Sequence, residues 1–149
     1  MQSAPAWASI EQVRLLAGDP GLDPGERSAL LLEALARTQR LGLSGDPTRA
    51  AITAAWIEQE AALVDPTASW ERVATAFGRA LVLHPGDPRL HAGLVMALRR
   101  GTDRIAEEAA LEQALKNNDS KRLDPLVQYT DAQRSEFEGR LERLRQPSK

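Results

Sequence analysis

The hydrophobic–polar pattern is clearest near the end of the chain. Phe137, Leu141 and Leu144 recur at helical spacing, while Arg134, Glu138, Arg140, Glu142 and Arg145 fall where they can face water. Thr130-Asp131-Ala132-Gln133, just upstream, has the form of a capping box, so a helix is predicted over 131–145. No segment shows the alternation of a half-buried strand.

The remaining helices are marked by a repeated dipeptide. Six of the nine prolines follow an aspartate, at Pro20, Pro24, Pro47, Pro66, Pro88 and Pro125. Aspartate at an N-cap accepts from the free N–H groups of the first turn and complements the helix dipole. Proline at the next position has a helical φ and lacks an N–H that would be unsatisfied there. Gly45 and Gly86 stand just before two of these pairs, where they can end the preceding helix. These marks predict helices near 6–17, 24–41, 47–64, 67–84, 88–100, 103–117 and 131–145, with a short helical turn over 125–129. Loops this short make consecutive helices antiparallel neighbours. The expected fold is all-α, a stack of about seven helices in antiparallel α-hairpins.

Composition agrees with this. The apolar residues are mostly Ala and Leu, strong helix formers, and only 4% of residues are aromatic. The 149 residues suit one domain with its own core. Net charge is −2, spread as −4 over residues 1–75 and +2 over 76–149, which gives no general attraction to nucleic acid. The basic residues Arg99, Arg100, Arg104, Lys116, Lys121 and Arg122 are interrupted by acids, so no nucleic-acid partner is expected. Cysteine is absent, which removes disulfides, thiolate metal sites and cysteine nucleophiles. No stretch is long and apolar enough to span a bilayer. Met1-Gln2-Ser3-Ala4-Pro5 does not begin a signal peptide, so the cytoplasm is the default compartment; a mature exported, periplasmic domain would read the same.

Within the chain, Phe77 and Leu111, Ala80 and Ala114, and Leu81 and Leu115 each stand 34 residues apart. Self-similarity at this period marks a helical-repeat array. Phe77, Ala80 and Pro85 resemble the second helix of a tetratricopeptide repeat, over about residues 47–119. Four before the large residue the family usually has a small one; this chain has Val73 and Glu107 there. The family's Trp, Leu-Gly and Tyr positions would fall on Ile57, Glu60-Ala61 and Val64. The resemblance implies an α-α superhelix of repeat-like hairpins over 46–119, preceded by an N-terminal hairpin (1–45) and closed by a capping helix (120–149).

Candidate chemistry is sparse. His84 and His91 flank Pro85-Gly86-Asp87-Pro88, with Asp87 already needed as a cap, so they read as structural rather than as metal ligands. Glu58 and Glu60 point to different helix faces, and Glu107 with Glu108 reads as exposed surface. Gly18-Asp19-Pro20-Gly21 reads as turn chemistry and not as a phosphate loop. No enzyme, cofactor or metal is expected.

Three features are candidates for binding. Arg89, Arg99 and Arg100 share a helix, with Arg104 beyond its end; the resemblance places Arg89, Ala92, Met96 and Arg99 on the face lining the family's concave groove, where arginines pair with peptide carboxylates. The alternative is a solvated helix end whose arginines complement the dipole. Trp56 and Trp70 are expected between hairpins, whereas Trp7 is left to dock on the domain or on a partner. The segment from Tyr129 to Arg145 either packs back as a cap or pairs with another chain. The expected function is a protein-interaction scaffold or adaptor holding a peptide or helix of a partner protein. A structural subunit embedded in an enzyme or membrane-associated complex is the alternative, and a ligand-binding or catalytic helical domain ranks below both.

Overall fold

The computed structural model describes residues 3–120 and 128–146. Seven helices and no strand occur among the described residues: α1 (Ser3–Ala17), α2 (Pro24–Ser44), α3 (Pro47–Val64), α4 (Trp70–Leu83), α5 (Pro88–Arg100), α6 (Arg104–Ser120) and α7 (Asp131–Arg145). The all-α expectation holds, and each helix packs on the next in sequence.

Three of the aspartate–proline pairs start helices as expected. Asp23 accepts from Gly25 N, Asp46 from Arg49 N and Asp87 from Arg89 N, each with proline at the next position. Two others do not. Asp65 ends α3, and its Oδ1 accepts from both the backbone and the hydroxyl of Thr67, folding 65–68 into a turn. Helix α4 therefore begins at Trp70, three residues later than predicted. Asp19 likewise turns back on Gly21 N at 2.8 Å, and the next helix waits for Asp23. The pair at Asp124-Pro125, and residues 125–127 of the expected helical turn, lie outside the described residues; Tyr129, at its end, is not helical. The capping box of α7 forms as predicted: Gln133 N donates to Thr130 Oγ1, and Thr130 N to Gln133 Oε1.

The core is a relay of three overlapping clusters. Trp7, Ile10 and Val13 of α1 meet Leu31, Ala34 and Leu35 of α2 and Ile57 of α3. Ala55, on another face of α3, joins Val73, Phe77 and Ala80 of α4 with Leu90 and Ala97 of α5. Val95 of α5 then packs with Leu111 and Ala114 of α6 and with Phe137 and Leu141 of α7. Helices α3 and α5 thus each serve two clusters, and burial is passed from neighbour to neighbour.

The 34-residue echo appears in the packing. Phe77, Leu111, Ala80 and Ala114 are all fully buried, and Leu81 and Leu115 are both half-buried. Helix α5 approaches the Phe77 ring so closely that a Cβ on Gly93 would overlap it. Trp56 meets the same ring edge-on, with centroids 5.0 Å apart.

A second set of contacts links alternate helices. Arg14 of α1 pairs with Glu60 of α3, Gln59 of α3 reaches Met96 of α5, and Arg99 of α5 pairs with Glu136 of α7. The odd-numbered helices therefore form one continuous row.

Candidate functional site

A concavity lies at the N-terminal end of that row. It is an open cavity of about 570 Å³ where the end of α1, the start of α2 and the end of α3 converge. This is the size range of small-ligand and peptide side-chain pockets. Leu15, Leu31, Leu63 and Val64 form its aliphatic part, and Leu15 and Leu63 are largely exposed at 77% and 56%.

The charged part is built around Arg14. Its Nη1 donates to Glu11 Oε1 at 3.0 Å and its Nη2 to Glu60. Burial works against the Arg14 charge, but the hydrogen bond and charge of Glu60, with those of Glu11, outweigh it and raise the guanidinium above its ordinary value. Arg27 also lines the cavity and donates through Nε to Ala17 O at 2.8 Å, closing the free end of α1. Asp19 completes the lining, so the wall has three carboxylates against two guanidiniums.

Sequence reasoning did not find this site. Glu58 and Glu60 do point to different faces as expected, Glu58 to Arg72 of α4 and Glu60 to Arg14 of α1. No local spacing, however, brings the ends of α1 and α3 together.

The arginines singled out on and beyond α5 do not act as a free basic cluster. The Arg99 guanidinium is engaged by Glu136 and lies 3.6 Å from Glu107. Arg100 lies over the Trp70 ring, 4.6 Å from its centroid. Arg89 is exposed beside Asp87, and Arg104 is exposed at the start of α6. Ala92 is half-buried, and Met96 is 39% exposed against Gln59. Of the two places left open for Trp7, the domain takes it. The ring is 3% exposed within the first cluster, and Arg49 stacks on it at 4.3 Å.

Glu107 is the main correction. Its carboxylate is 2% exposed, not on the surface, and Arg140 of α7 grips it with Nε at 2.8 Å and Nη2 at 3.0 Å. The sign was present in the sequence: Glu107 stands 34 residues after Val73, which is buried in the same way. His91 is buried, with Nε2 2.7 Å from Pro85 O, and His84 caps the exposed end of α4. Among the described residues no group of three or more His, Asp or Glu is placed to hold a metal ion, and no helix is long and apolar enough to cross a membrane.

Comparison with protein-family models, with curated proteins and with solved structures finds no match to this chain.

Proposed function

We propose that this chain is a non-catalytic protein-interaction module, a tetratricopeptide-like stack of α-hairpins that holds a peptide or helical segment of a partner. The observation that carries this reading is the cavity between α1, α2 and α3. Its exposed leucines offer apolar area to a partner side chain, and the carboxylates of Glu11, Asp19 and Glu60 beside them have further lone pairs to accept from peptide N–H groups. Its α1 and α3 walls belong to the row of odd-numbered helices, the row that lines the concave surface in the family the sequence resembles, and the start of α2 completes it. The engaged state of Arg99 and Arg100 moves the expected recognition from the middle of the stack towards its N-terminal end.

Affinity capture from the native source tests this, comparing wild type with Leu63→Glu and with Arg89→Glu. Leu63 is exposed, so the charge disturbs the cavity mouth without entering the core. Loss of partners with Leu63→Glu and their retention with Arg89→Glu is the expected result. Retention of every partner by Leu63→Glu would sink the proposal.

One observation favours a second reading, a subunit embedded in a larger complex. Large exposed aliphatic side chains occur far from the cavity, among them Leu43 at 91%, Val82 at 81% and Ile105 at 83%. Light scattering distinguishes the two, since a well-behaved monomer argues against an embedded subunit.

A further inference from the structure

Helix α7 is held to the body in an unusual way. Its buried apolar side chains are Phe137 and Leu141, with Leu144 partly buried. Tyr129 meets Phe137 edge-on, and among the described residues five ion pairs add to this: Arg134 with Asp119, Glu136 with Arg99, Arg140 with Glu107, and Arg145 with both Glu108 and Glu112. The α6 side of this groove is thus a row of four carboxylates, and the α7 side answers with three arginines.

Two features of this attachment bear on its selectivity and strength. Glu107 occupies the core position that Val73 fills 34 residues earlier. A valine accepts any apolar neighbour, whereas a buried carboxylate demands a guanidinium in register and so trades stability for selectivity. Gly139, in the middle of α7, weakens the helix relative to Ala. Among the described residues, a Cβ there would meet the Arg143 side chain at an ordinary 3.8 Å, so no close approach accounts for the glycine.

We propose that the α5–α6 face beneath α7 is an interaction groove for a basic amphipathic helix of a partner protein, with α7 as its intramolecular occupant. The fitting helix repeats the spacing of α7: an arginine, an aromatic three residues on, a second arginine three beyond that followed by leucine, and a third arginine four further. The acids Glu107, Glu108, Glu112 and Asp119 select for it, and Glu107 fixes its register. This site is separate from the N-terminal cavity and does not depend on it.

A fluorescent peptide with the sequence of residues 128–146, titrated into the full-length protein and followed by anisotropy, tests the proposal. Wild type binds it weakly, because tethered α7 competes at a high effective concentration. Phe137→Ala/Arg140→Ala in the protein frees the groove and tightens binding by at least about tenfold. Adding Glu107→Gln to that variant removes the gain, and Gly139→Ala alone weakens binding below wild type. If the double variant binds no tighter than wild type, the proposal is overturned. Should that variant not fold, hydrogen exchange on wild type decides. Amides of α7 lose protection between about 0.05 and about 0.5 M NaCl, while those of α1 to α4 keep theirs. Protection of α7 that is indifferent to salt overturns the proposal equally.

Discussion

Arg140 closes on the buried carboxylate of Glu107 with two parallel hydrogen bonds, of 2.8 and 3.0 Å, across 33 residues of sequence. This fork-to-carboxylate geometry is the one that guanidinium supplies and ammonium does not. Among the described residues, Arg140→Ala leaves Glu107 with Arg99, at 3.6 Å, to offset its loss of water. Breaking a buried pair on one side is strongly destabilising. Because the Arg140 side chain retains 27% exposure, the expected loss is discounted to about 2 kcal/mol. Urea denaturation measures it, and Arg140→Lys should recover only part. Full recovery by lysine would show that charge alone matters and geometry does not.

The same pair sets a pH dependence. Burial alone would push the Glu107 carboxyl up, but the hydrogen bonds and charge of Arg140, with the charge of Arg99, outweigh it and hold the group below the usual carboxylate range. A folded-state value below the unfolded one means that the stabilisation is fully present above the unfolded glutamate value of about 4.3. It is then lost as pH falls through the folded value. Glu107→Gln should therefore be less stable than wild type near neutral pH, and should lose less stability between about pH 5 and about pH 3. Parallel denaturation curves across that acid range for the two proteins would contradict the assignment.

Gly93 and Gly139 are both helical glycines, and they should respond oppositely to alanine. At Gly93 the new methyl overlaps the Phe77 ring, itself pinned by Trp56. Overpacking of this kind typically costs about 1–3 kcal/mol, more than the gain in helix preference of about 1 kcal/mol. At Gly139 the new methyl meets the Arg143 side chain at ordinary contact distance, so the same substitution should stabilise by up to about 1 kcal/mol. Thermal denaturation of the two single variants gives the comparison, and a stabilising Gly93→Ala would refute the close approach of α5 to Phe77.

The parts of this fold that were legible in the sequence are those decided by near neighbours or by the repeat. Asp23, Asp46 and Asp87 start helices because the following residues let their carboxylates reach first-turn N–H groups. The 34-residue echo found Phe77, Leu111, Ala80 and Ala114, because equivalent positions face equivalent neighbours. Where two local outcomes compete, the dipeptide alone does not decide. Asp65 is drawn into a turn by the hydroxyl and N–H of Thr67, and Asp19 by the N–H of Gly21. The N-terminal cavity and the Glu107 clamp depend on partners from other helices. Their charges therefore read locally as solvated surface, although the register with Val73 marked Glu107 for burial.

The two behaviours of aspartate–proline give the last prediction. Asp46 Oδ1 accepts from Arg49 N at 3.0 Å and caps the first turn of α3, so Asp46→Ala should cost about 1 kcal/mol. Asp65 makes equally short bonds, but to Thr67 in a turn that starts no helix. Those bonds, with no net help from burial, hold its carboxyl below the usual range, so the turn loosens as the group is protonated in acid. Asp65→Ala should then leave the length of α4 unchanged, because α4 starts at Trp70, beyond the turn, and takes no side-chain cap from Asp65. Hydrogen exchange separates the cases: loss of protection in the first turn of α3 for Asp46→Ala, and loss confined to residues 66–69 for Asp65→Ala. Fraying of α4 in the second variant would mean that Asp65 takes part in starting the helix after all.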